Sequence, residues 1–470
     1  MNGSRCMNSN PTPRPSPRER QSAENPVPDD HDDATAAGER WFDYAAAHPH
    51  TNVEIGGAAV VAGPAPSTVE LHALIDVMRA AHPPLRDRAR PRGASAVGPA
   101  VPADHLREIA LTAQGGDLAL HAAIERVCAQ PLRDVTWGMT LLHGHRDNEF
   151  ALLLRAHHGL LDGMSLIGIT LAAVREPGPP RRRTPPVHPP SWTSARVRAL
   201  VRAVAGIALP AHAISLGPDR GRAPTGPTRR MWVHTPLPRM KAIAREGGVS
   251  INDVYLAALA GALRPWLPDP TTGTVRVTVP LNTRRVDTSA ALGNFHRGVP
   301  VILPCHLPTA AERLAATRLA TRNIRISHRD PDADVLFDFL PTRWHGRALA
   351  RILHPRRTTM VATHVPGPAR PLELYGHSIN ALLPLMFLPA GHHLSVCLGE
   401  YAGTAHLAVV ADPSLPDIDK LPARWLAGLD ALEDAFTQPG PATASTPCTI
   451  TDPASNNTER VTTSSAGQDA

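Results

Sequence analysis

The stretch His157-His158-Gly159-Leu160-Leu161-Asp162-Gly163 constrains this chain more than any other. It follows Phe150-Ala151-Leu152-Leu153-Leu154-Arg155-Ala156, a run that reads as a buried strand. Ser165 to Val174 then reads as a helix. The two histidines therefore sit where a strand runs out into a turn, a place from which a side chain can leave the core and face a substrate. Histidine is the side chain whose unperturbed pKa lies nearest neutral pH, which suits a general base.

The rest of the pattern is mixed α and β. Thr68 to Ala81 has helical spacing (Leu71, Leu74, Ile75, Met78), and Ser67 with Glu70 fits a capping box at its start. Leu120 to Cys128 reads as a helix. Thr136 to Leu142 and Phe150 to Ala156 flank the polar turn Arg146-Asp147-Asn148-Glu149, which predicts a hairpin. Further on, Met231–Pro236, Thr274–Pro280 and Val299–Leu303 read as strands, and His393–Leu398 with Ala405–Val410 as a second hairpin. Ser250 opens a helix that runs to Arg264, with Asp253 in its first turn, and Thr309 to Ile326 reads as another. Two α/β regions are expected, at 39–175 and 231–437. Between them, 176–230 is a Pro- and Arg-rich linker carrying an amphipathic helix over Ser194 to Leu209 (Val197, Leu200, Val201, Val204, Ala208) with Arg196, Arg198 and Arg202 nearby. That helix is read first as packed on its own protein with a solvated basic face; a membrane-surface or acyl-carrier contact is the alternative. Residues 1–38 and 438–470 are polar, rich in Pro, Ser and Thr, and are expected to be disordered tails.

Composition narrows the function classes. The chain has 470 residues, of which 42% are hydrophobic, so a large core or two are possible. The formal charge of +6 is mild and diffuse. With no zinc-finger spacing, no helix-turn-helix signature and no aromatic stacking platform, nucleic acid is not an expected partner. The five cysteines are scattered without a CxxC, which argues against a disulfide framework or zinc site and for a reducing, cytoplasmic setting. Neither a secretory h-region nor an apolar run of about 18 residues is present, so any membrane contact is expected to be peripheral, at the inner face.

The motif itself admits several chemistries. A neutral His158 imidazole can take a proton from an alcohol or amine as that group attacks a carbonyl, and then return it to a leaving thiolate. Such help is worth roughly 10²–10⁴ in rate. Asp162 could orient the histidine as in a hydrolase triad; a buried ion pair that fixes the loop is the favoured reading, with Arg86 as the expected partner. Gly159 and Gly163 fit a tight turn that brings backbone near substrate. Metal is not expected: His157, His158 and Asp162 lack HExxH spacing, and adjacent strand residues point to opposite faces. Ser165 does not sit in a GxSxG elbow. A second pair, His392-His393, lacks the following Asp-Gly and is read as structural. No Gly-rich phosphate loop occurs, so no nucleotide cofactor is expected.

Five ordered stretches together resemble the bacterial wax ester synthase/diacylglycerol acyltransferase family, within the chloramphenicol acetyltransferase-like superfamily. They are His82-Pro83-Pro84-Leu85-Arg86, the His157–Gly163 motif, Val249-Ser250-Ile251-Asn252-Asp253-Val254, Val279-Pro280-Leu281-Asn282-Thr283-Arg284 with Leu292-Gly293-Asn294, and Val365-Pro366-Gly367-Pro368. Two positions depart from the family pattern: its Pro-Leu-Trp is Val135-Thr136-Trp137 here, and its Asn before Val-Pro-Gly-Pro is His364. The resemblance implies two chloramphenicol-acetyltransferase-like lobes, each a mixed sheet flanked by helices, with a tunnel between them. It implies transfer of a fatty acyl group from acyl-CoA, as substrate, to a long-chain alcohol or diacylglycerol, with His158 as base and Asn252 and Asp253 as support, at a membrane or lipid-droplet surface. Asn282 is a candidate oxyanion donor. A natural-product hydroxyl or amine as acceptor, a carrier protein as donor, and a non-catalytic lipid-binding role are the alternatives.

Overall fold

The computed structural model describes residues 30–82, 85, 102–111, 115–132, 135–173, 193–208, 212–217, 227–267, 275–284, 293–322, 324 and 335–437. Its strands, in chain order, are β1 Glu54–Ala62, β2 Leu106–Ala110, β3 Trp137–Arg146, β4 Glu149–His157, β5 Arg229–Pro236, β6 Val275–Asn282, β7 His296–Leu303, β8 Met360–Val365, β9 Glu373–Leu374, β10 His377–Leu385, β11 Leu394–Tyr401 and β12 Thr404–Ala411. They form two six-stranded mixed sheets, ordered β2-β3-β4-β1-β10-β9 and β5-β12-β11-β8-β6-β7. The helices that precede β6 are α1 Asp30–Ala47, α2 Thr68–Ala81, α3 Gly116–Cys128, α4 Gly163–Ala173, α5 Ser194–Ala208, α6 Leu237–Glu246 and α7 Ile251–Leu263.

The first sheet grows from the β3–β4 hairpin, in which Trp137 pairs with Ala156 and Leu141 with Leu152. Asn148 takes a left-handed φ of 58° in the tight turn, a conformation Asn tolerates better than most residues. Strand β4 is buried on both faces, as its continuous apolar run requires. Beside it lies β1, and Arg155 of β4 reaches Glu54 of β1 in a buried pair at 2.8 Å. The Glu54 carboxylate also accepts from the Leu132 amide, so the ion pair has hydrogen bonds to offset its desolvation.

In the second lobe, helix α7 is apolar nearly all round and is buried between the sheet and the C-terminal helix Leu421–Thr437. Gly428 permits that packing, since a Cβ there would lie 2.8 Å from the Ala258 carbonyl oxygen. Ser250 caps α7, accepting from the Asp253 amide while the Asp253 carboxylate accepts from the Ser250 amide at 2.9 Å. Asp253 is fully buried and also accepts from the Thr321 hydroxyl. Its carboxylate is thus occupied by cap and core.

Three features differ from the sequence expectation. Helix α1 occupies the end of the expected N-terminal tail. Its last turns bury Trp41 and Tyr44. Next, β9 and β10 come from the second region yet complete the first sheet, β10 pairing antiparallel with β1 (Ala58 with Leu383). The lobes are therefore interleaved in sequence, because an edge left open on β1 needs a partner and the nearest strand in space is a distant one in the chain. Finally, helix α5 buries Ala199 and Arg196 and leaves Val197, Val201 and Val204 exposed, so its apolar stripe faces out. Residues 176–192, 209–211 and 218–226 of the expected linker, and most of both expected tails, lie outside the described residues. No helix among the described residues is long and apolar enough to cross a membrane.

Candidate active site

Strand β4 ends at His157, and the next residues turn over the gap between the lobes. The His158 amide donates to Val53 and the His157 amide to Thr136, which pins the chain on both sides as it leaves the sheet. Helix α1 covers the turn at close range. A Cβ on Gly38 would lie 2.3 Å from the Gly159 carbonyl oxygen, and one on Gly159 would lie 2.5 Å from the Phe42 ring. Close approach, rather than backbone conformation, explains both glycines.

The two histidines hold opposite tautomers. The Gly159 amide donates to Nδ1 of His157 at 3.0 Å, so that ring's proton is on Nε2. His157 stacks on Phe42 at 4.3 Å. His158 has Nδ1 at 3.1 Å from the Leu161 carbonyl, which can only accept. The neutral His158 ring thus carries its proton on Nδ1, leaving the Nε2 lone pair free to accept a proton. His158 lines a cavity of ≈ 310 Å³ between the lobes; His157 does not. The His158 ring stacks on Trp41 at 4.2 Å and lies 5.0 Å from the His296 ring.

Asp162 turns away from this ring. Its carboxylate takes a two-pronged bond from Arg284, with Nη1 at 2.6 Å and Nη2 at 2.7 Å, and accepts from the Ser165 amide at 2.8 Å and the Phe295 amide at 2.9 Å. Burial opposes its ionisation, but the Arg284 guanidinium wins and holds the carboxyl below its usual range. The ion pair expected at Asp162 is present, with a different partner. Arg86 lies outside the described residues, and Arg284 fills the carboxylate. Arg284 follows β6 in the second lobe, so the pair ties the motif loop across the cleft. Ser165 joins it: its hydroxyl accepts from Arg284 Nη2 at 2.7 Å and from the Gly293 amide at 3.0 Å. Asn294 Nδ2 donates to the His158 carbonyl at 2.6 Å, a second brace from the same loop.

The other sequence candidates are distributed unevenly. Gly163 opens helix α4 and lines the cavity, where a Cβ would meet Val365 at 3.2 Å. Asn282 also lines it, although its Oδ1 accepts from the Arg284 amide. Asn252 and Asp253 do not line it. His392 is buried with Nδ1 against the Ala390 carbonyl, away from the cavity. Sequence reasoning missed Arg284, His296, Trp41 and Asn294. Arg284 and Asn294 lay within stretches already noted, but nothing in their spacing linked them to Asp162 or His158.

Burial is the main cause that lowers the site histidines below the ordinary 6.5: His157 and His158 to about 4, and His296 to about 3. All three are neutral at pH 7, which keeps the His158 lone pair available.

An apolar cleft with a neutral imidazole, its Nδ1 anchored and its Nε2 free, between two mixed α/β sheets, defines an acyltransferase of the two-lobed type. Comparison with known proteins agrees. Residues 100–217 match the family model described as the wax ester synthase/diacylglycerol acyltransferase catalytic domain, and 292–433 match the WS/DGAT C-terminal domain. The chain belongs to this family. A Mycobacterium tuberculosis protein named as a diacylglycerol O-acyltransferase is 28% identical over 353 residues, 66% of this chain and 75% of the relative. The wax ester synthase/diacylglycerol acyltransferase of Marinobacter aquaeolei superposes with a TM-score of 0.57 at 20% identity, over 83% of this chain and 96% of that one. The starter condensation domain of rhizomide synthetase, in complex with C8-CoA, does so with a TM-score of 0.59 at 15% identity, over 86% and 95%.

Two outcomes follow from the site's electrostatics. Arg284→Ala leaves the Asp162 carboxylate buried without its cation and should cost about 3–5 kcal/mol of stability, seen as a drop in the thermal midpoint; an unchanged midpoint contradicts the brace. Above pH 6.5 folded and unfolded histidines are both neutral, so they contribute nothing. As pH falls from 6.5 towards 4 only the unfolded chain takes up these protons, so stability should fall over that window. Thermal midpoints measured from about pH 7.5 to 4.5 check this, and a flat profile contradicts the neutral burial.

Proposed function

We propose that the chain is an acyl-CoA-dependent O-acyltransferase that moves a fatty acyl group from coenzyme A to a long-chain alcohol or diacylglycerol. The observation that carries this reading is the free Nε2 of His158 at the wall of the interlobe cavity. An acceptor hydroxyl gives its proton to Nε2 as its oxygen attacks the thioester carbon. The tetrahedral intermediate collapses, the carbon–sulfur bond breaks, and the imidazolium returns the proton to the leaving thiolate. No covalent enzyme intermediate and no cofactor beyond the acyl-CoA substrate is required. The apolar lining from Trp41, Leu166, Met386 and Phe387 suits an acyl chain and excludes water from the reacting centre. The names of the relatives, and the C8-CoA held by the condensation-domain neighbour, support the donor and reaction class.

The lipid substrates reach this cleft from an anionic membrane or lipid-droplet face. Val197, Val201 and Val204 of α5 are exposed; α5 packs against the short helices Val335–Phe339 and His345–Ile352, where Phe339 and, just before the second helix, Trp344 are exposed too. Arg198, Arg343, Arg347 and Arg351 are exposed around them. Apolar side chains rimmed by arginine match a surface of anionic lipid. Phe337 and Leu349 of the same short helices line the cavity, so this face is the wall of the site.

Purified protein given palmitoyl-CoA and a panel of long-chain alcohols should release free thiol, and His158→Ala should lose about 10²–10⁴ of that rate while keeping its circular dichroism spectrum. A folded, active His158→Ala protein sinks the mechanism; no thiol release with any acceptor favours a binding protein. In flotation, the protein should follow phosphatidylglycerol vesicles in preference to phosphatidylcholine ones, and Val201→Asp should weaken that. Equal recovery with both lipids argues against the docking face.

A further inference from the structure

The interlobe cavity contains a second ionisable constellation, unrelated to the His158 loop. His364, at the end of β8, and Glu400, at the end of β11, face each other with Nε2 and Oε1 2.8 Å apart. The strands are parallel neighbours, with His364 opposite Leu398, so Glu400 stands two residues on and on the same face. Both side chains line the cavity and are largely buried, at 16% and 13% exposure. Their surroundings are apolar: Ile167, Pro384 and Met386 line the same space. A brace between β8 and β11 needs no charge here. A carboxylate–imidazole pair on an apolar wall costs desolvation, and an apolar pair of equal volume would hold the strands at least as well.

The chemistry of the pair specifies what it can bind. The carboxylate only accepts, so the hydrogen on His364 Nε2 points at Glu400. Neither Nδ1 nor the second Glu400 oxygen has a partner among the described residues. The second Glu400 oxygen is therefore an acceptor offered to the cavity. That oxygen has no hydrogen to give a thioester carbonyl, an ester or a phosphate, whereas a hydroxyl or ammonium can donate to it. An alkan-1-ol has one hydroxyl, which is used at His158. We propose that His364 and Glu400 form a headgroup subsite selecting a lipid acceptor with a second hydrogen-bond donor beside the hydroxyl to be acylated: a vicinal diol, a monoacylglycerol or a long-chain amino alcohol. The inference rests on the acyl-transfer reading above and refines its acceptor class.

The test uses the full chain with palmitoyl-CoA and two acceptors of equal chain length, hexadecan-1-ol and hexadecane-1,2-diol, followed by thiol release. The wild type should favour the diol by about tenfold or more in kcat/KM, the worth of one hydrogen bond to a charged group. Glu400→Gln and His364→Leu should bring the ratio of the two acceptors close to one. A ratio near one in the wild type, or a preference that persists in both variants, overturns the subsite. So does a change confined to the KM for palmitoyl-CoA, which would assign the pair to the amide hydrogens of the pantetheine arm. Quenching of tryptophan fluorescence by the same two lipids, without acyl-CoA, reads the preference independently of turnover, since Trp41 lines the cavity. If neither alcohol releases thiol, the transfer reading fails, and the binding ratio alone decides the subsite. Should either substitution lower the thermal midpoint sharply, the diol preference of the other variant still decides.

Discussion

The pair between Asp162 and Arg284 is the interaction on which the site depends. It joins a loop at the end of β4 to a segment after β6, and so joins the two lobes at the point where the cavity opens between them. Each partner is almost wholly buried, and every carboxylate oxygen is doubly engaged once the Ser165 and Phe295 amides are included. Saturation of this kind is what makes a buried ion pair tolerable. Because the pair consumes Asp162, the aspartate does not orient the imidazole. The Leu161 carbonyl does that instead, through Nδ1. The motif thus divides its labour: the carboxylate fixes the loop, and the backbone next to it fixes the ring.

Burial then acts on three rings at once. Trp41, His158 and His296 form a compact cluster in which each ring partly shields the others. A protonated imidazole in that cluster would face both desolvation and, once its neighbour charged, a like charge. The result is a base that stays neutral over the whole physiological range, with reduced basicity. In the ester-forming reaction proposed for this cleft, bound apolar substrates displace water from the base, which limits hydrolysis of the thioester at the same atom.

Much of this was legible in the sequence, and the division between what was and was not has a physical cause. The β3–β4 hairpin, the capping boxes at Ser67 and Ser250, and the helix after Gly163 are local, written in periodicity and turn chemistry over a few residues. His158 was readable because a strand end is a local feature. Arg284 was not readable as the partner of Asp162, since 122 residues separate them and the chain offers many other arginines. Arg86 stood out as part of a motif-like stretch, and a motif-like setting says little about which arginine crosses between lobes. The same holds for His296, whose significance comes only from the ring it lies beside. Helix α1 was missed because its first turns are polar in sequence and its anchoring residues, Trp41 and Tyr44, come at its end.

The placement of β10 between β1 and β9 bears on how the molecule is made. During synthesis, β1 to β4 emerge early, and that sheet then waits with β1 open on one side until residues 377–385 leave the ribosome. By then the strands β5 to β8 of the second lobe have also emerged. Neither lobe can therefore be completed before the other is mostly present, and a chain cut between them leaves an unpaired edge of Ala and Val in the first half. The cleft that holds His158 comes into being last, as a by-product of two sheets finishing together.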